Sequence, residues 1–135
     1  MIYQKEALGK LLKSGWGEQE DDFYWSIGRF ASIVLPIYDL KSERLEIQLL
    51  LEPYIVPSKL ESQSISIYAN GLMAYSSLLS QTRAIYLDLQ PSVYQNGVLK
   101  LDLSLPDAAS PSELTGADDK RILAIKMLEL SVFSV

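Results

Sequence analysis

Gly15-Trp-Gly-Glu-Gln-Glu-Asp-Asp-Phe-Tyr-Trp-Ser-Ile-Gly-Arg-Phe-Ala-Ser-Ile-Val-Leu-Pro36 changes character partway along. Residues 15–24 are polar, acidic and flanked by glycine, which predicts a loop. From Trp25 the chain reads as extended, and Ser26-Ile27-Gly28 permits a turn. Residues 29–37 then alternate. Ala31, Ile33, Leu35 and Ile37 make one wholly apolar side, and Phe30, Ser32, Val34 and Pro36 make the other. A period of two is that of a strand with one face on a core.

The same period recurs to the end of the chain. After a polar connection over residues 38–43, Leu45, Ile47, Leu49 and Leu51 oppose Arg44, Glu46, Gln48 and Glu52, and Pro53 and Pro57 bracket the exit. Ile65 and Ile67 alternate within residues 64–68, and Asn70-Gly71 follows at once. Asn-Gly between β runs is a strong hairpin signal, because both central positions of a type I′ turn need positive φ. Residues 72–79 are then the returning strand. Ile85, Leu87 and Leu89 mark another, and residues 91–97 predict a helical turn ending at Asn96-Gly97. Leu99, Leu101, Leu103 and Leu105 oppose Lys100, Asp102 and Ser104. Residues 106–119 predict a long irregular loop. The last strand places Ile122, Ala124, Lys126, Leu128, Leu130 and Val132 on one side, and Lys126 interrupts it, which predicts a bulge or a strand end.

About eight strands at regular spacing, with no convincing long helix, predict an all-β fold: an antiparallel β-sandwich, jelly-roll-like. An open barrel is the alternative. Residues 1–14 read as an entry arm or edge strand, since Gly9 and Gly15 break the helical spacing of Leu8, Leu11 and Leu12. Residues 15–135 read as a single domain.

Composition narrows the chemistry. At 135 residues the chain fits one domain with a real core. It has no cysteine and no histidine, so a Ser-His-Asp triad, a thiolate nucleophile and the usual transition-metal ligands are excluded. The net charge is −5 and the twelve Lys and Arg are dispersed, which argues against nucleic acid. No apolar run has membrane-spanning length, and the first fifteen residues lack a signal-peptide layout, so a cytoplasmic location is expected.

Candidate site residues cluster at both ends of the domain. Trp16, Tyr24 and Trp25 offer flat apolar faces on which a pyranose ring stacks, and Glu20, Asp21 and Arg29 offer polar partners for its hydroxyls. The structural alternative is that both tryptophans are packing anchors. Asp119 and Arg121 pair with Arg29 and Glu20 if the two segments meet. That network is either a pin between loop and sandwich or a polar sugar-binding patch. Glu18, Asp21, Asp22 and Asp118 supply the hard oxygens that Ca²⁺ takes, but their spacing fits no EF-hand loop, and a solvated acidic loop is the alternative. Glu20 with Asp119 is the one carboxylate pair to consider for glycoside hydrolysis, and nothing in the spacing fixes their separation. No catalytic residue and no cofactor is assigned.

Gly15-Trp16, Glu20 and Trp25-Ser26-Ile27-Gly28, then Ala69-Asn70-Gly71, then Pro106-Asp107-Ala108-Ala109-Ser110-Pro111-Ser112-Glu113-Leu114 and Asp119-Lys120-Arg121-Ile122-Leu123 form a series of motifs. Together they resemble a jelly-roll accessory module attached to bacterial glycosyltransferases and related cell-surface polysaccharide proteins. The likeness runs from about Gly15 to Val132 and departs from the pattern at Asp22 and Phe23, where an aromatic and a glycine are expected. It implies a non-catalytic carbohydrate-binding module serving glycan biosynthesis, beside a glycosyltransferase in cis or in trans. The expected ligand residues are Trp16, Glu20, Tyr24, Trp25, Arg29, Asp119 and Arg121. The rival reading is a structural or protein-interaction module that positions a partner enzyme or self-associates, with Phe30, Tyr68 and Tyr86 as outward aromatics.

Overall fold

The computed structural model describes residues 2–3, 5–37, 44–94 and 97–134. The expected polar connection at residues 38–43 and the Asn96 half of the expected helical cap lie outside them. The leucine alternation does what its period requires. In β4 (Leu45–Pro53) the side chains of Leu45, Ile47, Leu49 and Leu51 are fully buried, and in β8 (Val98–Ser104) so are Leu99 and Leu101. These faces meet across one core between two antiparallel sheets, a jelly-roll-like β-sandwich.

One sheet runs β1 (Ile2–Tyr3), β9 (Leu123–Ser134), β4, β7 (Arg83–Leu89), with β2 (Tyr24–Ile27) beside the first half of β9. The other runs β3 (Phe30–Pro36), β8, β5 (Gln63–Ala69), β6 (Leu72–Leu79). Asn70 (φ 46°) and Gly71 (φ 87°) form the two-residue turn between β5 and β6, with Ala69 paired to Leu72 across it. Asn70 is also a pin. Its side-chain amide donates to the carbonyls of Val93 and Val98 and accepts from the Lys100 N–H at 2.8 Å. The entry to β8 is thereby tied to the hairpin.

Three expectations need correction. Residues 1–14 do include an edge strand, the two-residue β1 on β9, but a short helix, α1 (Lys5–Leu11), follows it. Leu8, Leu11 and Leu12 do face one way, into the core, and their burial outweighs the cost of Gly9. Gly9 is required by packing, since a Cβ there would run into the Tyr24 hydroxyl. The loop at residues 106–119 contains a second helix, α2 (Pro111–Thr115). Ser110 caps it by accepting from the Glu113 N–H, Pro111 fills the first turn, and Gly116 (φ 79°) closes it in the left-handed region. Finally, the predicted bulge in β9 exists, with Leu50 opposite Glu129 and Leu51 opposite Met127. It shifts the inward set by one, so that Ile125 and Met127 face the core before it and Leu130 and Val132 after it. Lys126 therefore faces outward and does not interrupt the core.

Candidate functional site

The site grows from β2 and the segment that folds back along it. Ser26 is fully buried, and its hydroxyl accepts from the Ile125 N–H, which locks β2 onto β9. Residues 15–17 then run antiparallel beside β2: the Gly17 N–H donates to Trp25 O and the Ile27 N–H donates to Gly15 O. Alternation sends Tyr24 and Ser26 inward and Trp25 and Ile27 outward. The loop closes on itself where Glu20 and Phe23 exchange backbone hydrogen bonds at 3.0 and 2.8 Å. Asp21 and Asp22 are left at the exposed tip of that turn.

Glu20 is joined to the opposite end of the sequence. The Arg121 Nη1 group donates to Glu20 Oε2 at 3.1 Å, and its Nε and Nη2 groups clamp Asp119 at 2.6–3.1 Å. The Arg121 backbone N–H also donates to Asp119. These bonds, led by the guanidinium, pull the Asp119 carboxyl down from the ordinary 3.8 to about 2, and Asp119 in turn raises the Arg121 pKa. Burial raises the pKa of Tyr54, and the negative charge of Asp119 adds to that. The ion cluster stands beside a cleft of about 390 Å³ lined by Gly17, Glu18, Gln19, Glu20, Ile27 and Arg121. Ile27 is its one large apolar side chain, and Glu18, Gln19, Glu20 and Arg121 are polar groups around it.

An aromatic patch adjoins the cleft along β2. Phe23 and Tyr54 both meet Trp25 edge-on, with centroids 6.0 and 5.9 Å away. The Lys126 ammonium lies 4.5 Å from the Phe23 ring centroid and 5.1 Å from that of Trp25, and pairs with Glu52 at 3.1 Å.

The expected site residues thus separate. Trp25, Glu20, Asp119 and Arg121 come together on one outward surface. Tyr24 does not. It is buried, with its hydroxyl against Gln19, because its parity on β2 is that of the core. Trp16 packs against the core cluster, and its indole N–H donates to Ser32 O at 3.0 Å, so its ring anchors the loop. Arg29 is exposed and makes no ion pair among the described residues. Phe23, Tyr54 and Lys126 join this surface without being among the expected site residues. The Phe23-x-Trp25 spacing and the out-of-pattern Lys126 were their only local signals. For Ca²⁺, among the described residues no three acidic side chains gather into a cage, and Glu18, Asp21, Asp22 and Asp118 are exposed. These residues do not fit that ion.

Comparison of the sequence with protein-family models and with curated proteins finds no match. Solved structures share the fold. The CBM36-1 domain of a multidomain xylanase from the hindgut metagenome of Trinervitermes trinervoides is 10% identical, with 100% of this chain and 97% of that one covered and a TM-score of 0.57. A carbohydrate-binding module, CBM36, in complex with calcium and xylotriose is 8% identical over 98% of this chain and 99% of that one, with a TM-score of 0.53. Dimeric latent PorU from Porphyromonas gingivalis is 14% identical over 99% of this chain, which spans 12% of that protein, with a TM-score of 0.59.

Proposed function

We propose that this domain binds carbohydrate without catalysis, in the cleft beside Arg121 and on the adjoining Trp25 patch. The observation that carries the reading is the juxtaposition of Phe23, Trp25 and Tyr54 with a polar cleft whose Glu20 and Arg121 are fixed by ion pairing. Aromatic carbon suits the C–H face of a sugar ring, and oriented carboxylate and guanidinium groups match its hydroxyls. The shared fold with modules that include one solved with xylotriose supports it. Glycoside hydrolysis is a poor fit, because both members of the one candidate pair, Glu20 and Asp119, are engaged by the same Arg121 guanidinium, which leaves no general acid. The motif series further supports a place beside a polysaccharide-building glycosyltransferase, in cis or in trans. One solved module of this fold belongs to a xylanase, so both building and degrading enzymes are candidates for the neighbour.

An open site of this kind should bind with millimolar to micromolar affinity, about −4 to −8 kcal/mol. Tryptophan fluorescence during titration with neutral oligosaccharides tests it. A saturable change is expected in the native protein and in Trp16→Phe, whose remaining indole is Trp25, and its loss is expected in Trp25→Phe. A flat response in all three across the panel sinks the reading.

A second reading has its own observation. Leu72, Met73 and Leu78 on β6 and Tyr86 on β7 are each more than half exposed, and Leu72 and Met73 line a cleft of about 270 Å³. They suit a protein-interaction role better than the expected aromatic set, since β6 and β7 are touching edges of the two sheets, whereas Phe30 on β3 lies at the edge of its sheet opposite β6. Light scattering at high concentration, on the native protein and on Met73→Ser, distinguishes self-association from a persistent monomer.

A further inference from the structure

We propose that the guanidinium of Arg121 does in this cleft what a divalent cation does in a metal-dependent sugar site, so that the cleft assembles, and takes up sugar, without metal. The second half rests on the carbohydrate reading above. The first stands on the ion geometry alone.

A cation bound between two chain segments neutralises their carboxylates, cross-links them and presents a positive centre to the ligand. Arg121 does each of these. It engages Glu20 and Asp119 together, and so ties the loop at residues 17–20 to the segment that leads into β9. Ca²⁺ would need about six to eight oxygens. Here the two carboxylates that converge, Glu20 and Asp119, are already spent on a guanidinium, and among the described residues no third acidic side chain gathers with them. An added cation would meet the Arg121 charge. A guanidinium carries five N–H donors. Nε and one hydrogen on each terminal nitrogen are used on the carboxylates, so each terminal nitrogen keeps one more. Those hydrogens are donors to sugar hydroxyl oxygens, the same atoms that a metal would ligate.

The test compares the native domain, Arg121→Gln and Arg121→Lys in EDTA and in millimolar CaCl₂. It reads Tm, amide exchange over residues 17–22, and affinity for a neutral oligosaccharide panel that includes xylotriose. Expected are an unchanged native Tm and affinity between the two buffers, and a Tm lower by about 2–4 °C with faster loop exchange in Arg121→Gln. Arg121→Lys, which keeps the charge but not the fork, should recover part of both. A native Tm or affinity that falls on chelation overturns the proposal and leaves the carbohydrate reading intact. Unaltered loop exchange in Arg121→Gln also overturns it. A panel that binds in neither buffer overturns the sugar half together with the reading it rests on, and the Tm and exchange data still decide the cation half.

Discussion

Arg121 Nη1 lies 3.1 Å from Glu20 Oε2, and the two residues are 101 positions apart in sequence. Both side chains are about 40% exposed, so solvent screens the pair. Such a contact is worth about 0.2–1 kcal/mol. Its effect is to fix where the acidic loop sits. Glu20→Gln should therefore leave global stability within about 1 kcal/mol, measured by urea denaturation, and yet weaken oligosaccharide binding. A large stability loss, or unaltered binding, would contradict this assignment.

Acid should erode the contribution of Asp119. Its folded pKa of about 2 lies below the ordinary 3.8, so the folded state holds that proton less tightly. The stabilisation is complete above pH 3.8 and drains away as pH falls from there toward 2. In Asp119→Asn the plot of Tm against pH should be flatter over that window. The same variant should lower the ionisation midpoint of Tyr54, followed by its absorbance. That midpoint should still lie above 10.0, because burial is the larger cause of its rise.

The hairpin pin can be dissected. Asn70→Gly keeps the left-handed turn and removes the side-chain bonds to Val93, Val98 and Lys100. It should cost about 1–2 kcal/mol. Asn70→Ala loses those bonds and also strains φ, and should cost about 2–3 kcal/mol. Equal losses in urea denaturation would mean that the turn geometry contributes nothing.

Leu49 is the simplest gauge of the core. It is fully buried on β4, between Ile85 of β7 and Leu130 of β9. Leu49→Ala should destabilise by about 2–5 kcal/mol with an unchanged denaturant slope. A loss under 1 kcal/mol would mean that the site collapses around the gap.

How much the sequence discloses depends on how local the determinant is. Ile33, Leu49 and Leu101 betray their strands because burial on one face repeats every two residues, and Asn70-Gly71 betrays its turn because few residues accept positive φ. Ser110-Pro111 with Glu113 and Gly116 also spells a capped helical turn, and a five-residue helix is short enough for its periodicity to be silent. The site is different in kind. Glu20 meets Arg121, and Phe23 and Trp25 meet Lys126, only because β2 lies on β9, and no window of sequence contains both partners. Tyr24 and Trp25 are adjacent aromatics of similar promise, and pleating alone sends one to the core and the other to the surface.

β9 holds the middle of its sheet, with β4 on one side and β1 and β2 on the other, and it follows every other strand in the chain. During synthesis the domain must therefore wait for it. β3, β5, β6 and β8 can pair as they leave the ribosome, and so can β4 and β7, but β2 has only residues 15–17 beside it until residues 123–134 arrive. At about 5–20 residues per second, β2 and the Ser26 hydroxyl that accepts from the Ile125 N–H wait several seconds for β9. A ribosome stalled before β9 would hold one complete sheet, β3-β8-β5-β6, faced by the β4–β7 pair alone.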